Sequence, residues 1–406
     1  MKILHTADWH LGKRLDFVAR HPEQVEVMDE ICEIAKNEQV DVVIVAGDLF
    51  DTINPPVESI ELLYKTLKRL SNNGKTLVIA IAGNHDSPDR INTPDPLARE
   101  CGIVFVGYPN AVIHPFKLET GLELIRSEAG FAEFKLPGHT APLRMLLTPY
   151  ANEIRLRKYL GNDNPEETLR QLLQEHWQQL ASKYMDNEGV NFLAAHLYIA
   201  KKGEELPEEP DDEKSILAVG NAQVIYSENL PTELQYVALG HLHRRHTIDK
   251  RPYPIVYCSS PLAYSFNESN QQKFVVLIDA EAGKEVKRTN IPLQKGKRLL
   301  RSKFDSIDNA VEWLLNNQDA LVEVTIVSDT YLTAEERRRL NKTHEGIINI
   351  IPEIKFKNTS GGSSSRQIDL NMKPEDLFVE YFKSENKDQA PSPELMALFR
   401  EIMTDN

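Results

Sequence analysis

Eight side chains of this 406-residue sequence could do metal chemistry together: Asp8, His10, Asp48, Asn84, His85, His196, His241 and His243. Most sit in short motifs: Asp8-Trp9-His10, Gly47-Asp48, Gly83-Asn84-His85-Asp86 and Gly240-His241-Leu242-His243. His196 closes the apolar run 192–195. Each motif begins where an apolar run stops, so each is placed at a strand end. Asp8 and His10 lie two apart, which lets both turn to one side of that end. Gly47 leaves room for close backbone approach. Carboxylate, imidazole and amide oxygen form a set of intermediate hardness, suited to Mn²⁺, Fe²⁺ or Zn²⁺. No thiolate joins them, which argues against a structural zinc site. The set is large enough for two divalent ions. Two ions can activate a water and neutralise a phosphoryl group at once, so phosphate-ester hydrolysis is the expected chemistry.

The other histidines stand apart. His21, His114, His139, His176 and His344 fall in helical or loop contexts and read as surface or packing residues. His5 lies in the first strand, as a core group or a support for the ligands. His246 follows the last motif by three and reads as a loop residue.

The elements that must position the eight follow from hydrophobic periodicity. Residues 2–6, 40–46 and 77–82 read as strands. Residues 22–37 and 57–70 read as helices, the second with Ile60, Leu63, Tyr64, Leu67 and Leu70 inward. This βαβαβ order predicts parallel strands with right-handed crossovers. Ligands collect at the carboxyl ends of such strands. Further strands are expected at 103–106, 145–148, 191–196, 236–239 and 255–259, a hairpin at 274–279 and 286–291, and a long helix at 165–183. That many strands predicts an α/β fold with two sheets packed face to face and helices outside.

Past Pro292 the composition changes. Residues 299–304, 309–316, 322–327, 333–342 and 347–356 read as strand, helix, strand, helix, strand. The expected domains are 1–292, an α+β unit at 293–358, a flexible linker at 359–373 around Gly361-Gly362-Ser363-Ser364-Ser365, and a helical pair within 374–406. The two short helices, 374–384 and 393–403, each open on a proline. Leu377, Phe378, Tyr381, Phe382, Leu395, Leu398, Phe399 and Ile402 give them apolar faces.

Composition bounds the rest. With 41% hydrophobic and 27% charged residues, the chain has a globular make-up, and no run approaches a membrane span. No signal peptide opens it, so a cytoplasmic protein is expected. Cys32, Cys101 and Cys258 are too few and too scattered for a disulfide framework, and read as buried thiols. The net charge of −14 disfavours a nucleic-acid coat without excluding a nucleic-acid enzyme. Part of the excess crowds into 204–213. The opposite bias, at Lys295, Lys297, Arg298, Arg301 and Lys303, fits a solvated strand or a contact with a phosphate backbone.

The four motifs, extended to Gly47-Asp48-Leu49-Phe50-Asp51, resemble those of the calcineurin-like metallophosphoesterases. Residues 1–12, 46–52 with Pro55-Pro56, and 238–244 with 258–261 resemble more narrowly the SbcD family of bacterial nuclease subunits. That resemblance covers essentially the whole chain and is weak over 107–191. It implies Asp8, His10, Asp48 and His243 around one metal, and Asp48, Asn84, His196 and His241 around the other, with Asp48 shared. It implies Mn²⁺ as the ion and His85 as the acid that protonates the leaving oxygen. Archaeal relatives carry histidine in place of Asp51, whose role is left open. The resemblance also implies a capping role for 293–358, exonuclease action on duplex DNA ends, endonuclease action on hairpins, homodimerisation, and an SbcC-type ATPase partner docked on the C-terminal helices. One rival is a phosphoesterase of small substrates, which has no obvious use for the last hundred residues; the other is a non-catalytic scaffold on the same fold, against which the intact ligand set and His85 argue.

Overall fold

A computed structural model describes residues 1–161, 164–207, 224–329 and 332–354, together with 377–379, 382–383, 391, 395–396 and 399. The chain divides into two units, Met1–Ile354 and Lys355–Asn406.

Continuous β-branched runs build the first sheet. Lys2–Thr6, Val42–Ala46, Leu77–Ile81 and Ile103–Val106 lie parallel and adjacent. Phe274–Asp279 pairs antiparallel with the first of them, and Lys287–Pro292 completes six strands. A seven-stranded sheet lies beside it, in the order His246–Asp249, Ile255–Tyr257, Tyr236–Gly240, Val190–His196, Leu143–Thr148, Phe131–Lys135, Glu123–Glu128.

Strand alternation sends side chains into three layers of core. Ile3, Ile44 and Ile79 meet Met145, Phe192 and Tyr236 between the sheets. Leu4, Val43 and Val78 face the other way, under helices His21–Asn37 and Val57–Leu70. Leu146, Leu193 and Val237 pack beneath Leu169, Leu173 and Trp177 of helix Pro165–Tyr184. Sheets buried on both faces explain why their strands read as unbroken apolar runs.

The small unit after Pro292 holds three parallel strands, Arg298–Phe304, Ala320–Ser328 and Ile347–Ile354. Helices Ile307–Leu315 and Ala334–Thr343 begin at Ser306 and Thr333, whose side chains accept amide N–H bonds. Leu299, Leu321 and Ile348 join Leu15 and Phe266 in a core shared with the large sandwich. Arg301 pairs with Glu323 and Lys303 with Glu353, so two of the five basic residues are neutralised on this sheet.

Several expectations need correction. Tyr64 is 38% exposed; the buried stripe of its helix runs instead through Ser59, Leu63, Thr66, Leu67 and Leu70. Strands Glu123–Glu128 and Phe131–Lys135 add to those expected; exposed Arg126 in the first and buried Glu133 in the second break the apolar signal. His246 opens an edge strand and is not in a loop. Cys101 is only half-buried, whereas Cys32 and Cys258 are buried; all three are free thiols. The linker at 359–373 lies outside the described residues, as does most of the helical pair. In that second unit, Phe378 stacks on Phe399 with ring centroids 4.3 Å apart.

Candidate metal centre

The carboxyl ends of both sheets converge on one point. Strand Lys2–Thr6 runs into Asp8-Trp9-His10, and Trp9 divides the pair. Its ring is buried in the outer core and donates to Thr6 Oγ1 at 2.9 Å. Asp8 and His10 are thereby left on the opposite side. The loop is laced to the next one: Asp8 N–H donates to Gly47 O at 3.0 Å and His10 N–H to Asp48 O at 2.9 Å.

Asp8 (φ 53°), His10 (φ 43°), Asp48 (φ 48°) and His241 (φ 107°) all have left-handed backbone. Non-glycine residues seldom adopt it, and such strain collects at functional sites. Glycine is required beside them for a different reason. A Cβ on Gly47 would stand 2.1 Å from His196 Nδ1, and one on Gly83 would stand 2.0 Å from Asp48 Oδ1.

Asp48 lies at the centre. Its Oδ2 is 3.6 Å from His10 Nε2 and 3.1 Å from His196 Nε2. His10 Nε2 in turn faces His243 Nε2 at 2.9 Å. Asn84 Oδ1 lies 2.8 Å from His196 Nε2 and 3.3 Å from His241 Nδ1. The seven side chains put forward as ligands are therefore gathered in one cluster. His85 borders it, half-buried, with its ring 4.9 Å from that of His10. Its Nδ1–H donates to Asp51 O at 2.8 Å. Asp51 itself receives Lys13 Nζ at 2.8 Å.

The donor set fits divalent cations. His196 Nδ1–H donates to Ala46 O at 2.9 Å, so its Nε2 lone pair faces a carboxylate oxygen. A proton or a metal ion must sit between those two atoms. Asp8 Oδ2 is buried and has no hydrogen-bond partner among the described residues. Asp8, Asp48 and Asp86 are all fully buried, a concentration of negative charge that calls for cations. Burial drives Asp8 from 3.8 up to about 7 in spite of His196 and His243. It drives Asp86 up to about 6, helped by Asp48. For His196, burial pulls downward, but Asp48 and Asp8 outweigh it and its pKa is raised. Two groups of three could each hold an ion: Asp8, Asp48 and His196, and His10, Asp51 and His85.

Two supporting residues lie outside the set read from the sequence. Asp86 accepts amide N–H bonds from Gly83, Leu49 and Phe50 at 2.8, 3.0 and 3.0 Å, tying two motif loops together. Glu268 Oε1 lies 3.4 Å from His243 Nδ1 and fixes that ring. Burial alone would raise the Glu268 pKa, but buried Lys273 and His243 hold it well below the usual carboxylate range. Asp86 had a signal, since it closes the Gly83-Asn84-His85-Asp86 motif. Glu268 had none.

A model of the calcineurin-like phosphoesterase family matches residues 1–245. The SbcD subunit of the SbcCD nuclease from Bacillus subtilis is 34% identical over 410 residues, covering 99% of this chain and 97% of its own length. The corresponding subunit from Staphylococcus epidermidis is 27% identical over 96% of this chain and 94% of its own. The one from Escherichia coli K12 is 28% identical over 83% and 81%. A dimetal phosphatase structure from Danio rerio superposes on 71% of this chain and 98% of its own at 10% identity, with a TM-score of 0.37.

Proposed function

This chain belongs to the calcineurin-like phosphoesterases and, within them, to the SbcD nuclease subunits, and from that membership we propose a Mn²⁺-dependent nuclease acting on duplex DNA ends and hairpins. The family itself supports a metal-dependent phosphodiesterase. One observation carries the two-metal reading: Asp48 Oδ2 has an imidazole nitrogen on either side, His10 at 3.6 Å and His196 at 3.1 Å. Asp8, His10, Asp48 and His243 would hold one ion. Asp48, Asn84, His196 and His241 would hold the other. When bound, the two ions supply an acidified water and neutralise the phosphoryl oxygens. Glu268 keeps His243 Nε2 aimed inward by engaging Nδ1. His85, whose Nδ1–H is held by Asp51 O, would act as the imidazolium, give its Nε2 proton to the departing 3′ oxygen and be left neutral.

The test is cleavage of end-labelled duplex and hairpin DNA with Mn²⁺, beside p-nitrophenyl phosphate. DNA cleavage by the purified chain is expected. Turnover of the small ester alone would replace the nuclease reading with a small-substrate one.

The 293–358 unit would act as a cap over the DNA path. Helix Val57–Leu70 and residues 96–101 would join two copies; Val57 is 77% and Leu97 75% exposed, apolar surface that a second copy would cover. No helix among the described residues is long and apolar enough to cross a membrane, and the work would be done in the cytoplasm, with the DNA. The partner would be an SbcC-type ATPase bound through the C-terminal helices. Deleting residues 374–406 should abolish capture of that ATPase and leave nuclease activity on simple ends. Retention at unchanged affinity would remove the helices from the interface.

A further inference from the structure

We propose that Arg155 is a positioning residue for the hydrolysis, holding the Gly83–Asp86 turn so that Asn84 and His85 keep their separate aims. The inference rests on the phosphodiesterase reading above. Arg155 lies in the short helix Glu153–Leu156, which begins after the second sheet's strand Leu143–Thr148. The segment crosses to the first sheet at once: Tyr150 N–H donates to Ala82 O at 2.9 Å. Asn152 Oδ1 then accepts from Arg155 N–H at 2.9 Å, and Glu153 Oε1 from Leu160 N–H at 2.6 Å, so the helix is tied at both ends.

From this fixed base the guanidinium reaches beneath the turn. Nη1 donates to Gly83 O at 2.7 Å, and Nη2 donates to Asp86 O at 2.8 Å and Asn84 O at 3.2 Å. The Tyr150 ring covers it at 5.1 Å, and the residue is 9% exposed. With three carbonyls drawn down to Arg155, the amides of the turn are turned the other way. His85 N–H reaches Asp48 Oδ1 at 3.0 Å and Gly83 N–H reaches Asp86 Oδ2 at 2.8 Å. The Asn84 side chain is thereby sent toward His196, and the His85 ring toward Asp51 O. A planar fork can serve three acceptors from one side; an ammonium presents a single point on a flexible stem.

The experiment is a double-mutant cycle with Arg155→Lys and His85→Ala, read on both duplex DNA and bis(p-nitrophenyl) phosphate. Arg155→Lys should lower kcat by roughly 10- to 100-fold with KM changed less than about threefold, as expected when a supporting contact is lost. Added to His85→Ala it should cost clearly less than it does in wild type, because part of its effect passes through His85 and only the rest through Asn84. In metal-free protein, amide exchange across 83–86 should rise at least tenfold in Arg155→Lys, with exchange in Val42–Ala46 unchanged. Multiplicative losses, or exchange raised equally in both segments, would overturn the proposal by making Arg155 a general stabiliser. If wild type cleaves only the small diester, the nuclease reading fails while the exchange comparison, which needs no substrate, remains readable.

Discussion

The two sheets hold their share of the site by different means. The first contributes the charged groups, Asp8 and Asp48, and fixes them through the backbone. Their loops are laced by main-chain bonds and wound into left-handed conformation. The second contributes His196, His241 and His243. Two of these rings are fixed by a partner on one nitrogen, His196 by Ala46 O of the first sheet and His243 by Glu268. His241 is the exception: its φ of 107° and its N–H bond to Asp8 Oδ1 at 2.8 Å resemble the first sheet's method. The difference follows from chemistry. A carboxylate has two equivalent oxygens and needs only to be placed. An imidazole has two distinct nitrogens and must also be told which one carries the proton.

That contrast can be broken at its strongest point first. Asp48→Ala removes the group set between the two sheets' imidazoles. Hydrolysis should fall to background, and isothermal titration should show both Mn²⁺ sites lost, with circular dichroism unchanged. One site surviving at full affinity would mean that the ions share no ligand. Next in size is His85→Ala, which leaves the ligands alone. Turnover should fall by roughly 10²-fold with two ions still bound. Loss of an ion in that variant would make His85 a ligand, as its place beside His10 and Asp51 permits.

Glu268→Gln tests the second sheet's method. It keeps the shape and removes the charge that steers His243. Mn²⁺ affinity should drop by about 10- to 100-fold, the usual cost of a lost ligand-orienting contact. An unchanged affinity would show that the His243 backbone suffices, and the two sheets would then be alike.

The smallest effect concerns the seam between the sheets. His5 of the first sheet binds Tyr236 Oη and Leu239 O of the second, at 3.0 and 3.1 Å. A carbonyl can only accept, so Nε2 carries the proton and Nδ1 receives the tyrosine hydroxyl. Burial pulls the His5 pKa from 6.5 to about 3. Between these values the unfolded chain takes up a proton that the folded chain refuses. Its stabilising contribution is therefore complete above about 6.5 and declines by ~1.4 kcal/mol per pH unit as pH falls toward 3. Urea denaturation at pH 7 and pH 5 should show a shallower decline in His5→Gln than in wild type. Parallel declines would mean that the seam titrates elsewhere.

What the sequence made legible divides along the same line. Candidate ligands at strand ends are readable because an apolar run, a glycine and a polar pair are contiguous. The seven lie together in space, and their assignment to particular ions is an inference. Arg155 was illegible. Its guanidinium donates to backbone carbonyls about seventy positions away, and a carbonyl leaves no mark on the residue that bears it. Glu268 was hidden for a related reason: its partner His243 is 25 positions distant with no shared motif. Tyr64 was misplaced because a 100° step per residue lets one error in phase rotate a bulky ring into solvent. Strand 123–128 failed the apolar test because it ends a sheet, where one face is wet, and 131–135 because buried Glu133 interrupts its short apolar run.

The His10–His243 contact joins positions 233 apart. A ribosome delivers the amino end first, at roughly 5–20 residues per second. For some ten seconds or more, by that rate, the nascent chain carries Asp8, His10, Asp48 and Asn84 without their imidazole counterparts. It also lacks strand Phe274–Asp279, which flanks the very first strand. The candidate metal cluster therefore cannot assemble until the chain has been made at least to Asp279. A chain stopped short of His241 would lack two of the candidate ligands, and one stopped short of Phe274 would lack the strand that flanks Lys2–Thr6.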